Sequence, residues 1–322
     1  MKAHCPHPLA WTAAELAADP AWTFGADRQL EGLLSSLLGW AAQQQDPEEA
    51  LAAGAWATTH PQTSTLLRQW CQPLEEQLRQ GRGVVRLTGL QGVKEGELRL
   101  LVLAMGLALG RLDRTYGLLH AVRDSGQSHL DRPIPVSQTR AAPGMHTDSS
   151  QRLVHPRWVG LACVRPAASG GASALASVRA VHGHLLQQDP ALVVRLRRSF
   201  IRDVVTPGGD RDRQAILANT FPIFSGSPAD PTMRYMRYWI EKGQQEAGHP
   251  LDAGALADLD RLDAALNAPE FRHEFLLLPG DLLLLDNHRI THDRTTYRDE
   301  PSQPRLMLRL WLNADARVAS RR

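Results

Sequence analysis

The sequence predicts a β-rich α+β protein whose first third is mainly helical, and three patterns predict it. Leu and Ala recur at helical spacing through the N-terminal third; from about residue 136 short apolar runs alternate with Gly/Pro turns; and RLMLRLWL at 305–312 alternates strictly between two kinds of side chain. A chain of 322 residues accommodates one elaborated β-sandwich or barrel with helical additions as readily as two average domains. No repeat or low-complexity linker interrupts it. One domain over 1–322 is therefore expected, with 1–80 a mainly helical extension packed on the β core.

In chain order, helical spacing covers 12–19 and 26–43, and PEEALAA at 47–53 opens with Pro and acids as a helix start does. GVVRLTGL at 83–90 predicts a strand with Val84, Arg86 and Thr88 on one face, followed by a helix over about 95–110. Further strands are expected at 159–165, 199–205, 274–278, 282–286 and 305–312, and helices at 181–198 and 251–267.

Composition narrows the function classes. Hydrophobic residues at 43% and charged residues at 22% suit a globular protein with a large core. With 36 basic against 34 acidic residues, the net charge of +2 supplies no field that argues for nucleic acid or an anionic membrane, so a small-molecule partner is expected. The basic residues are almost all arginine, Lys2, Lys94 and Lys242 being the lysines; this suits bidentate carboxylate binding and equally follows from GC-rich codons. Cys5, Cys71 and Cys163 are odd in number and lack metal-site spacing, as expected of idle reduced thiols. No apolar run reaches membrane-spanning length, and His4, His7 and two prolines stand where a signal peptide needs an apolar core, so a cytoplasmic protein is expected.

Three stretches carry chemistry. In SQTRAAPGMHTDSS, His146 and Asp148 are two apart, so an extended strand projects both from one face while Thr147 faces away. Alone, such a pair equally fits a polar strand facing solvent. In LPGDLLLLDNHRITHDRTTY, a strand of four leucines delivers a polar cluster containing His288 and His292. Two imidazoles and a carboxylate on one face leave opposite coordination positions open, and His146, Asp148 and His292 supply that set. In 305–312, Leu306, Leu308, Leu310 and Leu312 form a core face. Arg305, Met307, Arg309 and Trp311 form the other, where an enclosed anion-binding pocket explains the company of Met and Trp better than a solvated surface does.

These residues resemble the TauD/TfdA-like, or clavaminate synthase-like, iron(II)/2-oxoglutarate dioxygenases: HTD at 146–148, His292, and Arg305 thirteen residues further on. VRDSG at 122–126, QTRAAPGMHTDSS at 138–150, LACVRPAASGGAS at 161–173, RYMRYWIE at 234–241 and PLAWTAAEL near the start extend the likeness over most of the chain. The resemblance implies a double-stranded β-helix (jelly roll) core with helices outside it. It implies Fe(II) on His146, Asp148 and His292, and O2 and 2-oxoglutarate as co-substrates. Arg305 would bind the distal carboxylate of 2-oxoglutarate with help from Ser173, and Arg309 would touch the co-substrate or an anionic substrate group. The reaction implied is oxidation, chiefly hydroxylation, of an amino acid or specialised metabolite, with succinate and CO2 as co-products; retention of Asp148 argues against halogenation, which needs a small residue there.

Other readings remain. His288 competes with His292 as a ligand, with a rim position as its alternative role. His182 and His184 fall on a helix and suit packing. Arg234, Tyr235 and Arg237 are candidate substrate contacts or an amphipathic surface segment. A zinc hydrolase could use the same ligand set, and a non-catalytic jelly-roll protein could hold a structural metal there.

Overall fold

In the computed structural model, which describes residues 7–128, 134–148, 155–205 and 211–313, alternating side chains build two facing sheets. The larger sheet has seven strands. Its order runs Thr23–Gly25, Val84–Thr88, Leu282–Asp286, Trp158–Arg165, Leu306–Asn313 and Arg111–Leu112, with His120–Val122 also paired to Leu306–Asn313. The smaller sheet places Ser173–Ser177 between His273–Phe275 and Ile290–Arg294, and a bridge from His146 to His292 extends it by one residue. This is the jelly-roll core.

Because strand side chains alternate, each sheet serves two cores. Val85, Leu87, Leu282, Leu284, Leu308, Leu310 and Leu312 leave the outer face of the larger sheet and pack against helices Arg28–Ala41, Pro61–Arg79 and Glu95–Leu109. Their neighbours Val84, Leu283, Leu285, Met307 and Trp311 point inward and meet Leu175 and Ile290 of the smaller sheet. Behind that sheet, Ala174 and Ala176 pack against helices Val178–Gln188, Pro190–Leu196 and Ala253–Asn267. Among the described residues no helix is long and apolar enough to cross a membrane.

Most expected elements appear within a few residues of their expected ends, and the differences have local causes. The helix expected over 181–198 is two, Val178–Gln188 and Pro190–Leu196. Pro190 has no N–H to continue the first, and the Asp189 side chain accepts from Leu192 N to start the second. The strand expected over 199–205 stops at Ile201, because Asp203 N donates to Trp239 O of the helix Arg237–Glu246 instead of to a ladder partner.

Candidate functional site

His146 and His292 meet across the edge of the smaller sheet. His146 N donates to His292 O at 3.0 Å and His292 N donates to His146 O at 2.9 Å, which places two rings from distant segments 4.3 Å apart. Asp148, two residues on from His146, shares its face as the extended geometry requires. Its Oδ1 lies 3.5 Å from His146 Nε2 and 3.6 Å from His292 Nε2. Asn287 fixes the backbone here: its Oδ1 accepts from Asp148 N at 2.7 Å and its Nδ2 donates to Asp148 O at 3.1 Å. Thr147 faces the other way, its hydroxyl accepting from Tyr235 N.

The donor set fits a divalent metal. Gly144 O can only accept, so the 2.8 Å contact from His146 Nδ1 assigns the proton to Nδ1 and leaves the Nε2 lone pair facing Asp148. One ligand atom from each of the three residues lies within 4.8 Å of the others. Asp148 is 3% exposed. Burial disfavours its charge, but the Arg309 guanidinium beside it is the chief cause that holds its carboxyl well below the usual range.

The terminal strand supplies the opposite wall. Arg305, Met307, Arg309 and Trp311 all face a cavity that also takes in the His–Asp–His cluster and encloses about 960 Å³ of empty space, its open mouth included. Arg309 Nη1 donates to both Asp148 oxygens, at 2.8 and 2.7 Å, and Trp311 Nε1 donates to Oδ2 at 2.8 Å. Arg305 is 6% exposed, its Nη1 has no hydrogen-bond partner among the described residues, and its guanidinium lies 5.2 Å from the Tyr297 ring. Burial lowers its pKa from the ordinary value. Ser173 lines the same cavity.

The other sequence candidates fall elsewhere. His288 stacks on His155, centroids 4.0 Å apart, and is not on the cavity wall. His182 packs on Phe224 and His184 on Phe271. The structure does not bring Arg234, Tyr235 or Arg237 to the cavity. Tyr235 Oη donates to Asp263 Oδ1 and Arg237 Nη1 to Asp263 Oδ2, while the Arg234 guanidinium lies over Phe221. Met236, between Tyr235 and Arg237, lines the cavity instead.

Arg294, Asn287 and Arg202 belong to the site's surroundings without having stood out in the sequence. Arg294 donates to Thr139 O and Ala141 O and shares the Tyr297 ring with Arg305. It stands two residues after His292 on one strand, so period-2 counting from His292 would have found it.

A cavity between facing jelly-roll sheets, with a His–Asp–His cluster at its edge and buried arginines opposite, defines a class. The chain belongs to the taurine catabolism dioxygenase TauD, TfdA family, whose model matches residues 61–311, and is an iron(II)- and 2-oxoglutarate-dependent dioxygenase acting on a small molecule. It is 26% identical to FR-33289 synthase of Streptomyces rubellomurinus, over 95% of this chain and 89% of that one. It is 32% identical to a uridine-5'-phosphate dioxygenase of a Streptomyces species, over 58% of this chain and 65% of the relative. Among solved structures, an asparagine oxygenase in complex with Fe(II), 3-hydroxyasparagine and succinate matches with a TM-score of 0.66 at 20% identity, over 92% of this chain and 95% of the other.

Proposed function

We propose that His146, Asp148 and His292 hold the iron, that Arg305 with Ser173 binds the far carboxylate of 2-oxoglutarate, and that the reaction is hydroxylation of an amino acid or related specialised metabolite. The observation that carries this reading is the position of Arg305. It is a buried guanidinium with an unpartnered nitrogen, on the same strand face as the two residues that grip Asp148. A carboxylate reaching it from the metal would meet a planar, buried fork.

Each residue has a distinct task in this scheme. Iron supplies the oxidising chemistry when bound, and the chain supplies geometry. Trp311 and Arg309 orient the Asp148 carboxylate, leaving Oδ1 toward the imidazoles. Gly144 O fixes the His146 tautomer. Arg294 braces Tyr297, the ring over which Arg305 lies. Asp148 occupies the position that halogenation would require to be small, which favours hydroxylation. The amino-acid preference draws on relatives whose names state such substrates, including the asparagine oxygenase.

A zinc hydrolase is disfavoured by the cavity's carboxylates. Of the two described on its wall, Asp148 belongs to the cluster and Asp293 pairs with Arg272 at 3.0 Å, leaving no free carboxylate as general base. Anaerobic addition of Fe(II) and 2-oxoglutarate should give the weak visible charge-transfer band of an iron chelate. Its absence from fully iron-loaded protein would overturn the proposal.

A further inference from the structure

A second buried guanidinium lines the cavity. Arg202 lies just past the short strand Ser199–Ile201, is 4% exposed and contributes to the cavity wall. Its one side-chain hydrogen bond among the described residues is from Nη1 to the neighbouring Asp203 O, at 2.8 Å; Nε has no partner. The adjacent carboxylate does not neutralise it, because Asp203 accepts from Arg211 Nε and Nη2 at 3.0 and 2.8 Å. A buried cation without a carboxylate partner is costly, and burial pulls its pKa down to about 9. Perturbed buried groups in a cleft cluster at functional sites.

Its surroundings are not those of Arg305. Arg202 feels the charges of Tyr116, Asp203 and Arg234, whereas Arg305 feels Tyr297, Cys163 and Asp299. Arg305 lies by Tyr297 just before the strand Leu306–Asn313, whereas Tyr116 packs on Trp311 six residues further along it, so the two arginines stand toward different ends of that strand. Tyr116 connects the Arg202 end to the metal cluster: its hydroxyl donates to Val205 O, and its ring meets Trp311, the Asp148 donor, edge-on at 4.8 Å. The Arg202 backbone is anchored on both sides, its N donating to Asn219 O and its O accepting from Asn219 Nδ2 at 2.9 Å. Gly243 of the helix Arg237–Glu246 packs so closely that a β-carbon there would overlap Asp203 N and stand 2.7 Å from Arg202 Cα.

We propose that Arg202 anchors the primary substrate through an oxyanion group, a carboxylate or a phosphoryl group, on the Tyr116 side of the cavity. The substrate's body would then lie along Tyr116 with its reacting carbon toward the His–Asp–His cluster. This inference rests on the dioxygenase reading of the cavity and adds a charge requirement for the substrate.

The test uses protein loaded anaerobically with Fe(II) and 2-oxoglutarate, titrated calorimetrically with inorganic phosphate and with acetate. Wild-type protein should bind at least one of them saturably, and the preferred probe distinguishes a phosphoryl from a carboxylate ligand. Arg202→Met should weaken that binding about tenfold or more, and Arg202→Lys should restore part of it. Both should leave the chelate band and 2-oxoglutarate affinity unchanged. Should Arg202→Met fail to fold by circular dichroism, the comparison of wild type with Arg202→Lys decides alone, and equal anion affinity would refute the proposal. It is also overturned if neither probe binds wild type, or if the Arg202 variants raise the 2-oxoglutarate requirement instead. Absence of the band from wild type would refute the dioxygenase reading. Arg202-dependent anion binding to the metal-free protein, read by thermal unfolding, would then still uphold the oxyanion site, and its absence would refute it.

Discussion

His146 and His292 donate a backbone hydrogen bond to each other across a sheet edge while their rings stand 4.3 Å apart. The proposed metal site is thus a product of strand register. A slip of one residue in Ile290–Arg294 would turn His292 to the other face and separate the rings. The cluster forms only when the smaller sheet has closed, so metal affinity reports on native pairing as well as on ligand identity.

Trp311 offers a clean probe of that affinity. Its Nε1 donates to Asp148 Oδ2 at 2.8 Å, and Trp311→Phe removes the donor while keeping an aromatic ring against Tyr116. Fe(II) affinity should fall by roughly 10–100-fold, the usual consequence of losing a partner that orients a metal ligand. Iron titration of the variant, alongside thermal unfolding of the metal-free protein, separates this from a folding defect; unchanged iron affinity would show that the Trp311 bond does not orient Asp148.

Arg305 and Arg309 should divide by phenotype. Arg305→Ala removes the proposed partner of a desolvated carboxylate, about 3–5 kcal/mol, and should raise the 2-oxoglutarate Km by roughly a hundred-fold or more with iron binding retained. Arg305→Lys should recover only part, since a point charge does not reproduce the fork. Arg309→Ala should instead weaken iron retention, because its guanidinium holds both Asp148 oxygens. If Arg309→Ala raised the 2-oxoglutarate Km more than Arg305→Ala did, the two roles would be exchanged.

The stacked pair His155 and His288 should make the fold acid-sensitive. Burial first, then the neighbouring His288, lowers His155 to about 2; burial first, then Arg157, lowers His288 to about 4. Both are neutral in the fold, whereas an unfolded histidine titrates at 6.5. As pH falls below that value the unfolded chain takes up protons first, so stability is full above it and declines as pH drops through about 4. Urea midpoints measured across this window should fall with pH, and His288→Phe should flatten the decline; an equally steep decline in the variant would exclude the pair as its source.

Much of the site was legible because it obeys strand periodicity. His146 with Asp148, and Arg305 with Arg309, sit at even spacings on extended chain, so face assignment needed no tertiary information. Tyr235 and Arg237 were less legible, because an aromatic–arginine cluster looks alike in sequence whether it meets a ligand or pairs, as these two do, with the Asp263 carboxylate of a helix from another part of the chain. The helix Pro61–Arg79 carries Pro73 in its interior, where a proline ordinarily interrupts; the apolar positions Leu67, Cys71, Leu74 and Leu78 nonetheless bury one face against the larger sheet's outer core. Arg202 was illegible for a different reason. Its isolation depends on Arg211 having claimed Asp203, a relation among side chains that no spacing rule records.

Gly243 gives this arrangement an evolutionary handle. Its helix presses on the backbone of Arg202 and Asp203 without itself lining the cavity, so a single methyl group added there would shift that wall while leaving His146, Asp148 and His292 in their own strands. Substrate range can therefore drift through a residue that touches neither iron nor substrate, and natural or laboratory variants at this position should diverge in what they oxidise before they diverge in how.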